Sequence, residues 1–275
     1  AHARQRGVTP AAAVAAAFAE AIGTHSASPR FLLTVPIFDR DSADPRGEHP
    51  DLERVVGDFT SSILVAVDLS RSATMADRAA QLRREMHDAA AHGSFGGLDV
   101  LRELSRHHGE PMLSPVVFTS ALGLGELFSA KVAEEFGTPS WIVSQGPQVL
   151  LDAQVTEVGA PGGGRGLLLN WDVRVSELPR GVAEAMFAYY VRVLDQLIAG
   201  DWDSPAPDPV DAQIRAHRLA VEQHHACAAL AVVAAFFGSS EADLSAYDTQ
   251  QIPVEFDVDR IVDAIHGQVE RLQLE

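Results

Sequence analysis

Residues 31–38, Phe-Leu-Leu-Thr-Val-Pro-Ile-Phe, decide how the chain is read. They make a short apolar run bounded by Pro29 and Arg40, the pattern of a buried strand. Upstream, Thr9 can cap a helix whose first position is Pro10. The Ala-rich stretch that follows puts Val14, Phe18, Ala21 and Ile22 on one face, and Gly23 is expected to end it. Downstream, residues 41–51 are rich in Asp, Pro, Gly and His and read as a surface loop. A second strand is expected from Phe59 to Val67, then helices over 74–91 and 98–107, separated by His92-Gly93-Ser94 and Gly96-Gly97.

The alternation continues. Short apolar strands are expected at 115–119, 140–143 and 148–155. Residues 159–166, with Pro161 and three consecutive glycines, make a hairpin loop to a strand over 166–171. A helix from Val182 to Ile198 ends at Gly200. These elements give an α/β fold with a mixed sheet. Composition changes near residue 200: 201–211 carries Pro205, Pro207 and Pro209 and reads as a stiff linker. Beyond it, residues 212–275 read as a helical tail, with one long helix expected to Phe237 and a last one over 257–272. The uncharged run from Ala226 to Phe237 needs apolar cover, so a partner or a second copy of the chain is expected on it.

Composition narrows the function classes. The 275 residues are 47% apolar and carry a formal charge of −17. That suits a globular protein and disfavours nucleic acid, whose backbone needs Lys and Arg clusters absent here. Cys227 is the only cysteine, so no internal disulfide can form and a reducing cytosol is expected. No run reaches the ~18 apolar residues of a membrane-spanning helix, so no membrane partner is expected.

Three short runs carry the functional signal: Gly57-Asp58-Phe59-Thr60-Ser61, Pro115-Val116-Val117-Phe118-Thr119-Ser120, and Ser144-Gln145-Gly146-Pro147-Gln148-Val149, the last leading to Asp152. Their order, with Trp171-Asp172 after them, resembles the second half of a heterocyclization domain of a nonribosomal peptide synthetase. The resemblance covers residues 8–200. It implies the carboxy-terminal lobe of a chloramphenicol-acetyltransferase-like pair, each lobe an αβ sandwich. The amino-terminal lobe, which bears an Asp-x4-Asp signature in this family, is not found in the sequence. Such domains join two carrier-bound acyl groups and close a Cys, Ser or Thr side chain into a thiazoline or oxazoline. The resemblance therefore implies partners in an amino-terminal lobe and acyl or peptidyl carrier proteins. No bound cofactor is expected, since substrates arrive as phosphopantetheine thioesters.

Each candidate residue has a structural alternative. Asp58 precedes a strand and can simply cap a turn. Thr119 closes an apolar strand, where backbone can satisfy its hydroxyl, but strand ends also bear functional groups in α/β folds. Asp152 follows Val149-Leu150-Leu151, so it is either functional or turned to solvent at an edge. By resemblance, Asp152 is the general acid/base of cyclodehydration and Thr119 orients it, while Gln148, Ser120 and Asp58 position substrate. No metal site is expected: His107-His108 reads as a solvated helix end, and no third ligand stands at suitable spacing. His224-His225 lacks the residues that follow the His pair of condensation domains and reads as ordinary helix. Cys227 lies in an apolar helical stretch and reads as a buried, inert thiol.

Departures from the family pattern leave two readings open. Gly146 stands where the family carries Thr, and Thr34 and Asp39-Arg40 replace Asn and Asn-Arg. Retained Thr119 and Asp152 favour an enzyme part that needs its other lobe; Gly146 and the missing lobe favour a non-catalytic docking subunit.

Overall fold

The computed structural model describes residues 2–38, 54–124, 130–137, 148–160, 164–174, 176–178 and 180–207. The expected loop at 41–51, the strand at 140–143, Gly146, Cys227, His224-His225 and the helical tail lie outside the described residues. The elements in order are α1 (His2–Gln5), α2 (Pro10–His25), β1 (Arg30–Phe38), β2 (Thr60–Asp68), α3 (Met75–Ala91), α4 (Gly97–His108), β3 (Val116–Ser120), α5 (Ala130–Phe136), β4 (Leu151–Ala160), β5 (Gly164–Val173) and α6 (Arg180–Ala199).

The strands form one mixed sheet in the order β2-β1-β3-β4-β5. β1 pairs antiparallel with β2 and parallel with β3; β4 runs parallel to β3 and antiparallel to β5. Alternation sorts side chains onto two faces. Leu33, Val35, Ile63, Val65, Val116, Phe118, Leu151, Ala153 and Val155 share the main core with α2 and α6. On the other face, Leu32 and Leu64 pack with Val100 and Leu104 of α4. The sheet is thus an α/β sandwich with an uneven second layer, and no described helix is long and apolar enough to cross a membrane.

α2 begins as expected: the Thr9 hydroxyl accepts from Ala12 N at 3.2 Å, and Pro10 opens the helix. It does not stop at Gly23 but runs on to His25. Gly23 serves packing instead, since a Cβ there would lie 2.3 Å from Leu69 Cδ1. Likewise Gly97 does not separate helices but starts α4, where a Cβ would crowd Ser62 Oγ at 2.9 Å. α2 is also tied to α3 by a largely buried ion pair, Glu20 to Arg78 at 2.7 Å. Burial pushes the Glu20 carboxyl up, against the pull of the Arg78 charge.

The Pro-rich segment read as a stiff linker over 201–211 packs against the lobe through residue 207, and the rest of it lies outside the described residues. Trp202 is 2% exposed and donates from Nε1 to Leu197 O at 2.9 Å. The Trp202 and Ser204 carbonyls accept from Ala76 N at 2.8 Å and Met75 N at 2.9 Å. These are first-turn donors of α3, which have no partner inside the helix. Tyr189 Oη donates to Pro207 O at 2.8 Å, and Arg6 pairs with Asp203 at 3.2 Å. Residues 201–207 therefore act as a clasp over α3 and α6. Truncation after Gly200 is expected to cost about 3–5 kcal/mol relative to truncation after Pro207, the range for removing a buried Trp. Urea unfolding of the two forms measures it; equal midpoints would mean that the clasp is idle.

Candidate active site

The central strands place a row of polar side chains on the same face as Leu32, opposite the main core. In β3, Val116 and Phe118 turn into the main core, so Val117 and Thr119 point the other way. In β4, Leu151, Ala153 and Val155 face the core, which puts Asp152 and Gln154 on the opposite side. Register then sets Val117 beside Asp152, and Asp152 beside Asp172 of β5, with Gln154 beside Asn170. The face change along β5 is sharp. Trp171 packs into an aromatic cluster with Phe18, Phe187 and Tyr190, while Asp172 and Asn170 stand on the polar side.

Asp152 is 5% exposed. Thr119 Oγ1 donates to its Oδ1 at 2.8 Å, and Gln154 Nε2 donates to its Oδ2 at 3.2 Å. Gln154 Nε2 also donates to Asp172 Oδ2 at 2.8 Å. Asn170 Nδ2 donates to Gln154 Oε1 at 3.2 Å and to Asp172 Oδ1 at 3.3 Å. The groups that bond Asp152 are an uncharged hydroxyl and an uncharged amide. Buried ionisable side chains held by polar neighbours recur where proteins do chemistry. A carboxyl group so placed, with a hydroxyl fixing one oxygen, can donate and then accept a proton at a reacting atom.

The other expected positions fall elsewhere. Ser120 has the parity of Phe118, pairs with Val155, and its Oγ accepts from Leu122 N at 3.4 Å, closing the turn after β3. Gln148 is exposed just before β4 and holds a left-handed backbone, φ 65°. The amide that reaches Asp152 belongs to Gln154 instead. Asp58 is exposed at the start of β2, two strands from β3. Its Oδ1 accepts from Thr60 N at 2.9 Å, and hydrogen bonding by Thr60 holds its carboxyl below the usual carboxylate range. Any stability from that turn is therefore present above the ordinary Asp pKa and lost as the pH falls through the lowered value. Thr119 and Asp152 come together; Gln148, Ser120 and Asp58 do not join them. Gln154, Asn170 and Asp172 join the row as well, and the signal in the sequence is that Asp152-x-Gln154 and Asn170-x-Asp172 are period-two polar insertions in apolar strands.

The chain matches no protein-family model. It is 52% identical over 223 residues to "Phenyloxazoline synthase MbtB" of Mycobacterium tuberculosis, covering 80% of this chain and 15% of that protein. "Pyochelin synthetase PchE" of Pseudomonas aeruginosa is 37% identical over 226 residues, covering 82% of this chain and 15% of that protein. The chain thus spans 15% of the length of each of these two synthetases. Among solved structures, the EpoB nonribosomal peptide synthetase cyclization-docking bidomain from Sorangium cellulosum superimposes with a TM-score of 0.59 at 34% identity. That match covers 73% of this chain and 39% of the bidomain.

Proposed function

We propose a function on the premise that the chain belongs to the heterocyclization branch of the condensation domains of nonribosomal peptide synthetases. It is the carboxy-terminal lobe of such a domain and supplies the acid/base machinery for ring closure. The observation that carries this reading is the hydrogen bond from Thr119 to the buried Asp152, on the face of the sheet opposite the main core. The second lobe covers that face, and two carrier proteins bring their phosphopantetheine thioesters to the channel between the lobes.

The chemistry has two stages. The aminoacyl amine attacks the upstream thioester, which forms the amide and releases the carrier thiol. The Cys, Ser or Thr side chain then adds to the new amide carbonyl carbon, its proton passing to the carbonyl oxygen. From that hydroxylated ring, the C–O bond breaks as Asp152 gives a proton to the leaving oxygen. Water departs, the ring nitrogen returns a proton to Asp152, and a C=N bond remains. The balance is one amide and one thiol or hydroxyl in, one ring and one water out. Thr119 holds the Asp152 carboxyl toward the ring throughout.

The test is reconstitution of the complete domain with both loaded carriers and mass analysis of the carrier-bound products. Amide followed by loss of one water is the expected result. Binding of carriers with neither product would instead support the docking-subunit reading, which Gly146 in place of the family Thr keeps in view.

A further inference from the structure

We infer that Gln154 is a positioning residue for ring closure that acts through Asp152, an inference that rests on the acid/base role proposed above. Asp152 has two oxygens, and each is held by one donor: Oδ1 by Thr119 and Oδ2 by Gln154. One bond alone leaves the carboxyl free to swing about a broad terminal torsion. The second bond fixes the plane of the group and so the direction in which a proton is given or taken.

The orientation of the Gln154 amide is itself determined. Its nitrogen faces Asp152 Oδ2 and Asp172 Oδ2, and its oxygen accepts from Asn170 Nδ2. The flipped amide would set a carbonyl oxygen against two carboxyl groups and an NH2 against the Asn170 NH2. Both amide hydrogens are therefore committed, one to each carboxyl group. Register places Asp152 and Asp172 directly opposite one another on β4 and β5. Gln154 is the group that ties the two together. It is half-buried on the same face as Asp152, one step along β4, and touches the acid, not the reacting atoms.

The experiment uses the complete domain with loaded carriers and four proteins: wild type, Gln154→Met, Asp152→Asn and the double variant. Met keeps the approximate volume of Gln but has no donor. In Gln154→Met the ratio of ring to open amide is expected to fall about tenfold to a hundredfold, the size of effect produced by misplacing a reacting group. In the Asp152→Asn background the same change is expected to add nothing to the loss of residual ring formation, because the two residues act as a unit. Should Gln154→Met fail to fold, Asn170→Ala frees the other end of the amide and is expected to lower the ratio in the same direction. An unchanged ratio overturns the inference, as does an equal fall in amide and ring or a full additional loss on top of Asp152→Asn. A wild-type domain that makes amide but no ring overturns the acid/base reading of Asp152 itself, and this inference with it.

Discussion

Asp152→Asn in the complete domain is expected to leave open amide on the carrier while ring product falls by roughly 10²- to 10⁴-fold, the usual reach of a positioned acid/base. The substitution removes a titratable group and little else. An Asn side chain fits the same space, and the Thr119 hydroxyl can accept a hydrogen bond as readily as it donates one to Asp152 Oδ1. The remaining Asn oxygen can still accept from Gln154 Nε2, now 3.2 Å from Asp152 Oδ2. The polar row stays satisfied, so folding is spared and chemistry carries the effect. Single-turnover product ratios, with far-UV circular dichroism to confirm the fold, provide the measurement. Amide and ring falling together would assign Asp152 a structural role.

The sequence made the strands legible because burial on the main core face demands apolar residues at every second position. The 31–38 run became β1 from Arg30 to Phe38, and the 59–67 run became β2 from Thr60 to Asp68. Turn chemistry was read less well where it served another purpose. Gly23 looked like a helix end, yet it lets Leu69 approach α2; Gly97 looked like a spacer, yet it lets α4 settle on Ser62 and Leu64. Close approach and backbone freedom call for the same residue, so the sequence does not separate them. The clasp was hidden for a related reason. A Pro-rich stretch is extended whether it is free or bound, and only long-range partners at Met75, Ala76 and Tyr189 distinguish the two.

The site was half legible. Asp152 stood out because an ionisable group within an apolar strand is costly, and Thr119 stood out through the family resemblance. Gln148 belongs to the quoted motif but is exposed on left-handed backbone before β4, and the amide that bonds Asp152 is that of Gln154. Which amide reaches a carboxyl group depends on strand parity: 152 and 154 share a face. Counting from the start of β4 at Leu151, not from the motif, recovers it.

The second large effect is expected from Phe18→Ala. Phe18 lies on α2 with 0% exposure, stacked on Phe118 at 5.9 Å and edge-on to Trp171 at 5.5 Å and Tyr190 at 5.9 Å. Removing a buried Phe costs about 3–5 kcal/mol, and lost aromatic pairing pushes toward the upper end. At about 2–4 °C per kcal/mol for a lobe of this size, melting should fall by roughly 10 °C. Val56→Ala, at a fully exposed side chain, is the control and should stay within about 0.5 kcal/mol. Phe18 also bears on the chemistry, though it sits on the far side of the sheet from Asp152. Phe118 precedes Thr119 and Trp171 precedes Asp172, so the aromatic cluster anchors from behind the strands that carry the polar row in front. A strand that shifts at Phe118 moves Thr119 with it. Phe18→Ala should therefore lower amide and ring together near its lowered melting point, in contrast to the ring-only loss of Asp152→Asn. A Phe18→Ala protein that keeps wild-type stability would mean that α2 repacks over the sheet, and that the face behind the site does not set its geometry.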